Sequence, residues 1–218
     1  MNGTTLAKYL TGNPWIFQQD LSDLQTRVNY LESKKFSKAA IARILTAARY
    51  WLNVKVEVID ERLGWFMKEF RLSGDELRFA VTKNPKLVTF GTGHVQFLLF
   101  ALTEEMGFSK QDLKTIMLAD PFVYTSYKEI LLQSFDFLHN TLKLSHQDVL
   151  KFPKVLRCYA SHLKNRHEFL KSRRLDQYDA EKPNYISLFD LASGGDETFC
   201  QNVAKCSINE YNRFLKRR

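Results

Sequence analysis

The cations are where this chain could do chemistry. Lys and Arg number 32 against 24 Asp and Glu, a formal net charge of +8 over 218 residues. Such an excess favours a polyanionic partner. Two sets stand out by position. Arg43, Arg49, Arg78, Lys83, Lys86, Lys114, Lys151, Lys154 and Arg157 recur at related intervals. Lys164, Arg166, Lys171, Arg173 and Arg174 crowd residues 162–174, where the one acid is Glu168. Both cations donate charge-assisted hydrogen bonds to phosphate oxygens, and Arg does so bidentately. These fourteen are therefore the candidate nucleic-acid-binding residues. A single surface cation is normally just solvated, and part of the 162–174 run fits the polar side of an amphipathic helix. Recurrence raises the set above that reading.

Other chemistries find little support. Gly91-Thr92-Gly93 follows no expected strand and lacks the third glycine and the Lys-Thr/Ser of a phosphate loop, so it reads as a loop. There is no Gly-x-Ser-x-Gly, and the five histidines form no HExxH. Cys158 and His162 are one helical turn apart and could be half a metal site. No second pair accompanies them, so a core thiol beside a surface histidine is the better reading. No enzyme, cofactor or metal is expected. Three cysteines are too few and too odd for a disulfide framework, which points to a reducing compartment. Trp15, Trp51, Tyr124 and Tyr159 lie in or beside the proline turns or their equivalent and are candidates for stacking on bases, although core packing is the commoner role.

The elements that carry these residues repeat. Ser37, Ser73, Ser109 and Ser145 are spaced 36 residues apart. Each follows a large apolar residue (Phe36, Leu72, Phe108, Leu144) and precedes another four positions on (Ile41, Leu77, Leu113, Val149). That is a helix N-cap with a hydrophobic staple, and Glu76, Asp112 and Asp148 add a capping box to three of them. Before each serine a second helix is expected. Ile59, Leu63, Phe66 and Phe70 share one face, as do Val95, Leu99, Leu102 and Met106, and Leu131, Phe135, Leu138 and Leu142. The first unit has Leu24, Val28 and Leu31, displaced by one residue. Pro14, Pro85, Pro121 and Pro153 close the units, each starting a short turn of 3₁₀ type. Tyr50 stands where a proline is expected, and the turn is expected to persist there. The fourth capped helix should be short.

The array is read as one domain over 1–218. Its repeats run about 14–49, 50–84, 85–120, 121–152 and 153–182, and residues 183–218 form closing helices. Pro183–Leu188 reads as a degenerate proline turn. Asp196–Lys205 and Ser207–Lys216 read as the two closing helices, the second capped by Ser207 with Glu210. The apolar runs are too short to span a bilayer, so a soluble protein is expected. Met1-Asn2-Gly3-Thr4-Thr5 is no Arg-rich presequence, which suggests a trimmed form or no need of such a signal.

Apolar-Ser-x-x-[DE]-apolar helices followed by Asn/Asp-Pro-x-apolar, at a period near 36, resemble the mitochondrial transcription termination factor (mTERF) family. The stretch Lys182–Leu188 strengthens the resemblance, and Tyr50 departs from it. The resemblance implies an all-α solenoid of two α-helices plus a 3₁₀ helix per repeat, curved as a superhelix with a basic concave groove. It also implies a monomer of the mitochondrial matrix acting on gene expression. The implied partners are double-stranded mitochondrial DNA, to repress transcription, or ribosomal RNA, to support ribosome biogenesis, with ribosome-assembly proteins as further partners. The alternative is a protein-binding helical scaffold without nucleic-acid contact.

Overall fold

A computed structural model describes residues 3–217; Met1, Asn2 and Arg218 fall outside, and with them part of the reading of the first five residues. Among the described residues there are fourteen α-helices, four 3₁₀ turns, three π segments and no strand. They cluster into two compact units. One runs to Phe100 and includes Ser109–Thr125; the other comprises Ala101–Phe108 and everything from Ser126.

The first unit holds α1 (Gly3–Gly12), a 3₁₀ turn at Pro14–Gln18, α2 (Leu21–Ser33), α3 (Lys38–Ala47) and a 3₁₀ turn at Trp51–Asn53. It continues with α4 (Val56–Glu69), α5 (Gly74–Lys83), α6 (Lys86–Phe90), α7 (Thr92–Phe100), α8 (Lys110–Ala119) and a 3₁₀ turn at Pro121–Thr125. The second unit holds a π segment at Ala101–Glu105 and α9 (Lys128–Asp136), which runs on as a π segment to Thr141. Then come α10 (His146–Lys151), a 3₁₀ turn at Pro153–Arg157, α11 (Ala160–Ser172) and α12 (Leu188–Ala192). It closes with α13 (Asp196–Phe199), a π segment to Ala204 and α14 (Ile208–Lys216).

The serines do what their spacing predicts. Ser37, Ser73, Ser109 and Ser145 accept hydrogen bonds from the backbone N–H groups of Ala40, Glu76, Asp112 and Asp148 at 3.1–3.2 Å. The three acids return a bond to the backbone N–H of the serine. All eight staple residues are buried. Two residues before each serine the chain is left-handed, at Lys35, Arg71, Gly107 and Lys143. In α2 and α4 the next N–H reaches back five residues, Phe36 to Leu31 and Leu72 to Met67, which closes the helix in a Schellman motif. A side chain in this conformation costs about 1–2 kcal/mol. A cation at the helix C-terminus offsets about 0.3–1 kcal/mol of that through the macrodipole.

The expected inner faces of α4, α7 and α9 are buried, except that Leu142 is half-exposed. In α2, Leu24 and Val28 are only half-buried because the buried position between them belongs to Arg27. Three further expectations are corrected. The turn after Pro85 is one turn of α-helix, α6, rather than 3₁₀. Pro183–Leu188 is no helical turn: Asn184 is left-handed, which a right-handed turn cannot continue. Ser187 instead caps α12, with Asp190 completing the box. Gly91-Thr92-Gly93 is no free loop, since α7 begins at Thr92. At Tyr50 the 3₁₀ turn forms without proline, anchored by the fully buried Trp51. The fourth capped helix, α10, has six residues.

Candidate nucleic-acid interface

Within each unit, polar side chains tie elements of different repeats together before any are left for a ligand. Asn13, Asn84 and Asp120, each before a proline, have an extended φ that ends the preceding helix, and all three are buried. Asn13 donates to the Arg49 carbonyl and to Asn53 Oδ1, both at 2.7 Å. Asn84, in the equivalent place, donates to the Pro121 carbonyl at 3.1 Å and to Thr125 Oγ1 at 2.9 Å. Both asparagines are fully buried. A second series comes from the uncapped helices. Arg27 donates to the Leu52 carbonyl, Arg62 to Val88 at 2.6 Å and Ser134 to Cys158, each about 25 residues ahead. These bonds satisfy carbonyls at the ends of the short turns, which have no partner of their own.

The first-unit cations act in the same way and then face outward. Arg43 Nε donates to the Thr82 carbonyl at 2.9 Å, and Lys83 Nζ to Ala119 at 2.7 Å. Arg49 reaches Gly12 and Arg78 reaches Lys34, both at 3.3 Å, and Arg78 also pairs with Asp75 at 2.5 Å. Each bond to a carbonyl spans about one repeat and ends in or just past a helix's last turn, where the dipole favours a cation. A guanidinium has five donors and an ammonium three, so capacity remains. That capacity borders two cavities. One, of about 590 Å³, is lined by Lys8, Arg49 and Lys86 with Tyr50 and Phe90. The other, of about 480 Å³, is lined by Lys35, Arg43, Arg78 and Lys83 with Phe79. No carboxylate is among the described residues lining either cavity.

Five of the six first-unit candidates thus meet in two places. Lys114 does not join them. It donates to the Arg71 carbonyl at 3.0 Å and to Glu76 at 2.9 Å. The backbone N–H of Ser73, and after it Lys114, hold the Glu76 carboxyl below the usual glutamate range. Two lining cations were absent from the sequence reading. Lys35 carries a signal, the left-handed position that Arg71 and Lys143 share. Lys8 belongs to α1, a helix that the repeat pattern does not contain.

The second unit is different. Arg166, read as part of an exposed patch, is fully buried. Its guanidinium donates to the carbonyls of Leu191 (3.0 Å), Ser193 (2.9 Å) and Gly194 (2.8 Å), and to Asp196 at 3.0 Å. It also lies over the Phe199 ring. It extends the series of Arg27, Arg62 and Ser134, and its role is structural. Lys151 pairs with Asp148 at 2.7 Å. Arg173 covers Phe169 and stands 3.8 Å from Glu210. Lys164 lies over Phe137. Lys154, Lys171 and Arg174 are exposed and Arg157 is half-buried. A cavity of about 480 Å³ beside α10 is lined by Asp148, Asp176, Asp179 and Glu181 together with Lys143 and Lys151, so its charge is mixed.

Of the four aromatics flagged for stacking, Trp51 and Tyr124 are core residues, and Tyr124 donates its hydroxyl hydrogen to the Leu113 carbonyl at 2.8 Å. Trp15 and Tyr159 are exposed. Among the described residues no three His, Cys, Asp or Glu side chains gather as a metal site.

The family model that matches this chain is described as mTERF and covers residues 3–199. The chain belongs to the mTERF family. It is 40% identical over 211 residues to a Drosophila melanogaster protein named transcription termination factor 3, mitochondrial, with 97% of this chain and 60% of that one covered. Rattus norvegicus and Mus musculus proteins of the same name are 39% and 38% identical over 211 residues. There 97% of this chain aligns with 52% and 51% of theirs. The chain thus spans between about half and three-fifths of the length of these relatives. The mTERF match ends with α13. Beyond it, α14 is capped by Ser207 and Glu210 and packs Tyr211 against Phe169 and Phe199.

Proposed function

We propose that this mTERF protein is a non-enzymatic, nucleic-acid-binding regulator of mitochondrial gene expression that works in the matrix as a monomer. Its target is mitochondrial DNA, where binding represses transcription, or ribosomal RNA, where binding supports ribosome biogenesis. The supporting observation is the pair of cation-lined cavities of the first unit, whose described lining holds no carboxylate. Family membership and the names of the relatives support the same reading. Phosphate contacts of this kind give affinity without reading sequence. No described helix is long and apolar enough to cross a membrane.

Binding should be strongly salt-dependent. About six neutralised phosphates imply a loss of roughly a thousandfold in affinity between 50 and 200 mM salt. The K35E/K86E variant reverses two exposed cations without removing an inter-repeat bond. It should weaken binding to every sequence alike and reduce the salt slope by about two. Affinity that stays flat across this salt range would refute the reading.

The second reading, a protein-binding scaffold, is favoured by a different observation. Trp15, Phe17 and Leu21 are 59%, 74% and 81% exposed. Three large apolar side chains exposed within seven residues favour a surface that a protein partner would cover. If K35E/K86E binds nucleic acid as the wild type does, while W15S/F17S loses a protein partner, the scaffold reading replaces the first.

A further inference from the structure

The two first-unit cavities share a feature that phosphate binding alone does not require. Each has an exposed aromatic ring at its wall with a cation standing over it. Phe79 is 52% exposed and Phe90 is 56% exposed. Lys83 Nζ lies 5.3 Å from the Phe79 ring centre, and Lys86 Nζ lies 5.9 Å from that of Phe90. Tyr50, 48% exposed, lines the same cavity as Phe90, with the Arg49 guanidinium 6.0 Å away. The packing of this unit buries aromatics readily, as Trp51 and Tyr124 show, so these three are left out of the core by their position on α5, α6 and the turn after α3.

We propose that the two cavities are sockets for unpaired nucleotides, so that the first unit of this protein prefers single-stranded nucleic acid to duplex. The inference rests on the nucleic-acid reading above and deepens it. A single strand offers two things at each step, a phosphate and a free base face. Cations beside aromatic rings match that pair, and stacking tolerates any base because every base has a π-face. In a duplex the base faces are stacked on one another and cannot reach a side-chain ring, so a duplex would use the cations and leave the rings idle. The cavities are also of a size for such a ligand: both exceed 300 Å³, the lower end of small-molecule sites. The free donors of Arg43, Arg49, Lys83 and Lys86 would take the phosphates. Phe79 would stack one base, and Tyr50 with Phe90 another. Thr46 and Thr89 also line the first cavity; their hydroxyls donate to carbonyls of their own helices, which leaves the oxygens as acceptors.

The test compares a short fluorescein-labelled oligo(dT) with its duplex on oligo(dA), titrated by anisotropy at one salt concentration. The variants are F79L, F90L and Y50L, with F79Y and F90Y as aromatic controls. All three side chains are about half exposed, so thermal melts should match the wild type. The wild type should bind the single strand more tightly than the duplex. Each leucine variant should lose roughly 5- to 150-fold in single-strand affinity, the range for one stacked base. Duplex affinity should not change, and the tyrosine variants should retain single-strand binding. Leucine variants that bind oligo(dT) as the wild type does, or that lose duplex affinity equally, overturn the socket proposal and leave the phosphate reading standing. A wild type that binds neither probe overturns both.

Discussion

Replacing Arg166 with methionine separates a structural cation from a ligand-binding one. The side chain is fully buried and keeps its volume, so the change removes the guanidinium and little packing. Three carbonyls, those of Leu191, Ser193 and Gly194, lose their donor, and Asp196 loses its ion-pair partner. A hydrogen bond to a charged group contributes about 1.5–3 kcal/mol net, and a buried acceptor left alone costs about 1–3 kcal/mol. These terms do not add fully, because the arginine itself no longer has to be desolvated. The expected loss is about 3–5 kcal/mol, the range for breaking a buried charged network. For a chain of this size that lowers Tm by about 6–20 °C. R166K retains the charge but loses the fork, and should fall in between. Melts followed by circular dichroism measure the loss, and anisotropy at a temperature where both proteins are folded measures binding. Folded R166M should bind nucleic acid as the wild type does. If R166M melts within about 0.5 kcal/mol of the wild type and has lost affinity, Arg166 touches the ligand and its placement is wrong.

The caps and the inner faces give a second test. S109A should cost about 1 kcal/mol through the lost bond to the Asp112 N–H, while L99A, a buried site, should cost about 2–5 kcal/mol in the same melts. A silent L99A would mean that the face of α7 is misassigned. Stability should also fall in two stages on acidification. Burial pushes His162 and His167 below the usual histidine range. The unfolded chain therefore takes up protons first, and stability is lost as pH falls through about 6.5 towards the lower folded values. Glu76 and Glu210 are held below the usual range, first by the backbone N–H groups of Ser73 and Ser207. Burial raises the Asp148 carboxyl, but the hydrogen bonds from Lys151 and Ser145 together outweigh it and hold it below the usual range. The contribution of these carboxylates is complete above their ordinary values and is lost below about pH 4. H162Q/H167Q should flatten the first stage alone in a series of Tm against pH, and an unchanged first stage would refute its assignment.

Much of the fold was legible because it is written locally. An N-cap is one side chain bonded to a backbone group three residues away, so Ser37, Ser73, Ser109 and Ser145 show it in four letters of sequence. The period of 36 then orders most of what is measured from them, including the short α10, but not the face of α2, where Arg27 rather than Leu24 or Val28 takes the buried position. The turn at Tyr50, expected to persist without proline, does form, with the fully buried Trp51 in it. One element resisted for a physical reason. Ser187 was hidden because Asn184 breaks the chain out of phase, which moves the cap 42 residues beyond Ser145 instead of 36.

The cations divide along the same line. Sequence alone determined the repeat, the all-α class, the family and which bases recur in register with the caps. It could not say which of those bases face outward, because a lysine or arginine on a helix has the same spacing whether it meets a phosphate or a carbonyl of the next repeat. Packing decided that. It took Arg166 into the core and spent one donor each of Arg43, Arg49, Arg78 and Lys83 on neighbouring helix ends. It paired Lys114 with Glu76, and it brought Lys8 and Lys35 to cavities that their own repeats do not announce. A cation's role depends on which acceptors lie within about 3 Å of it, and only the folded chain places them there.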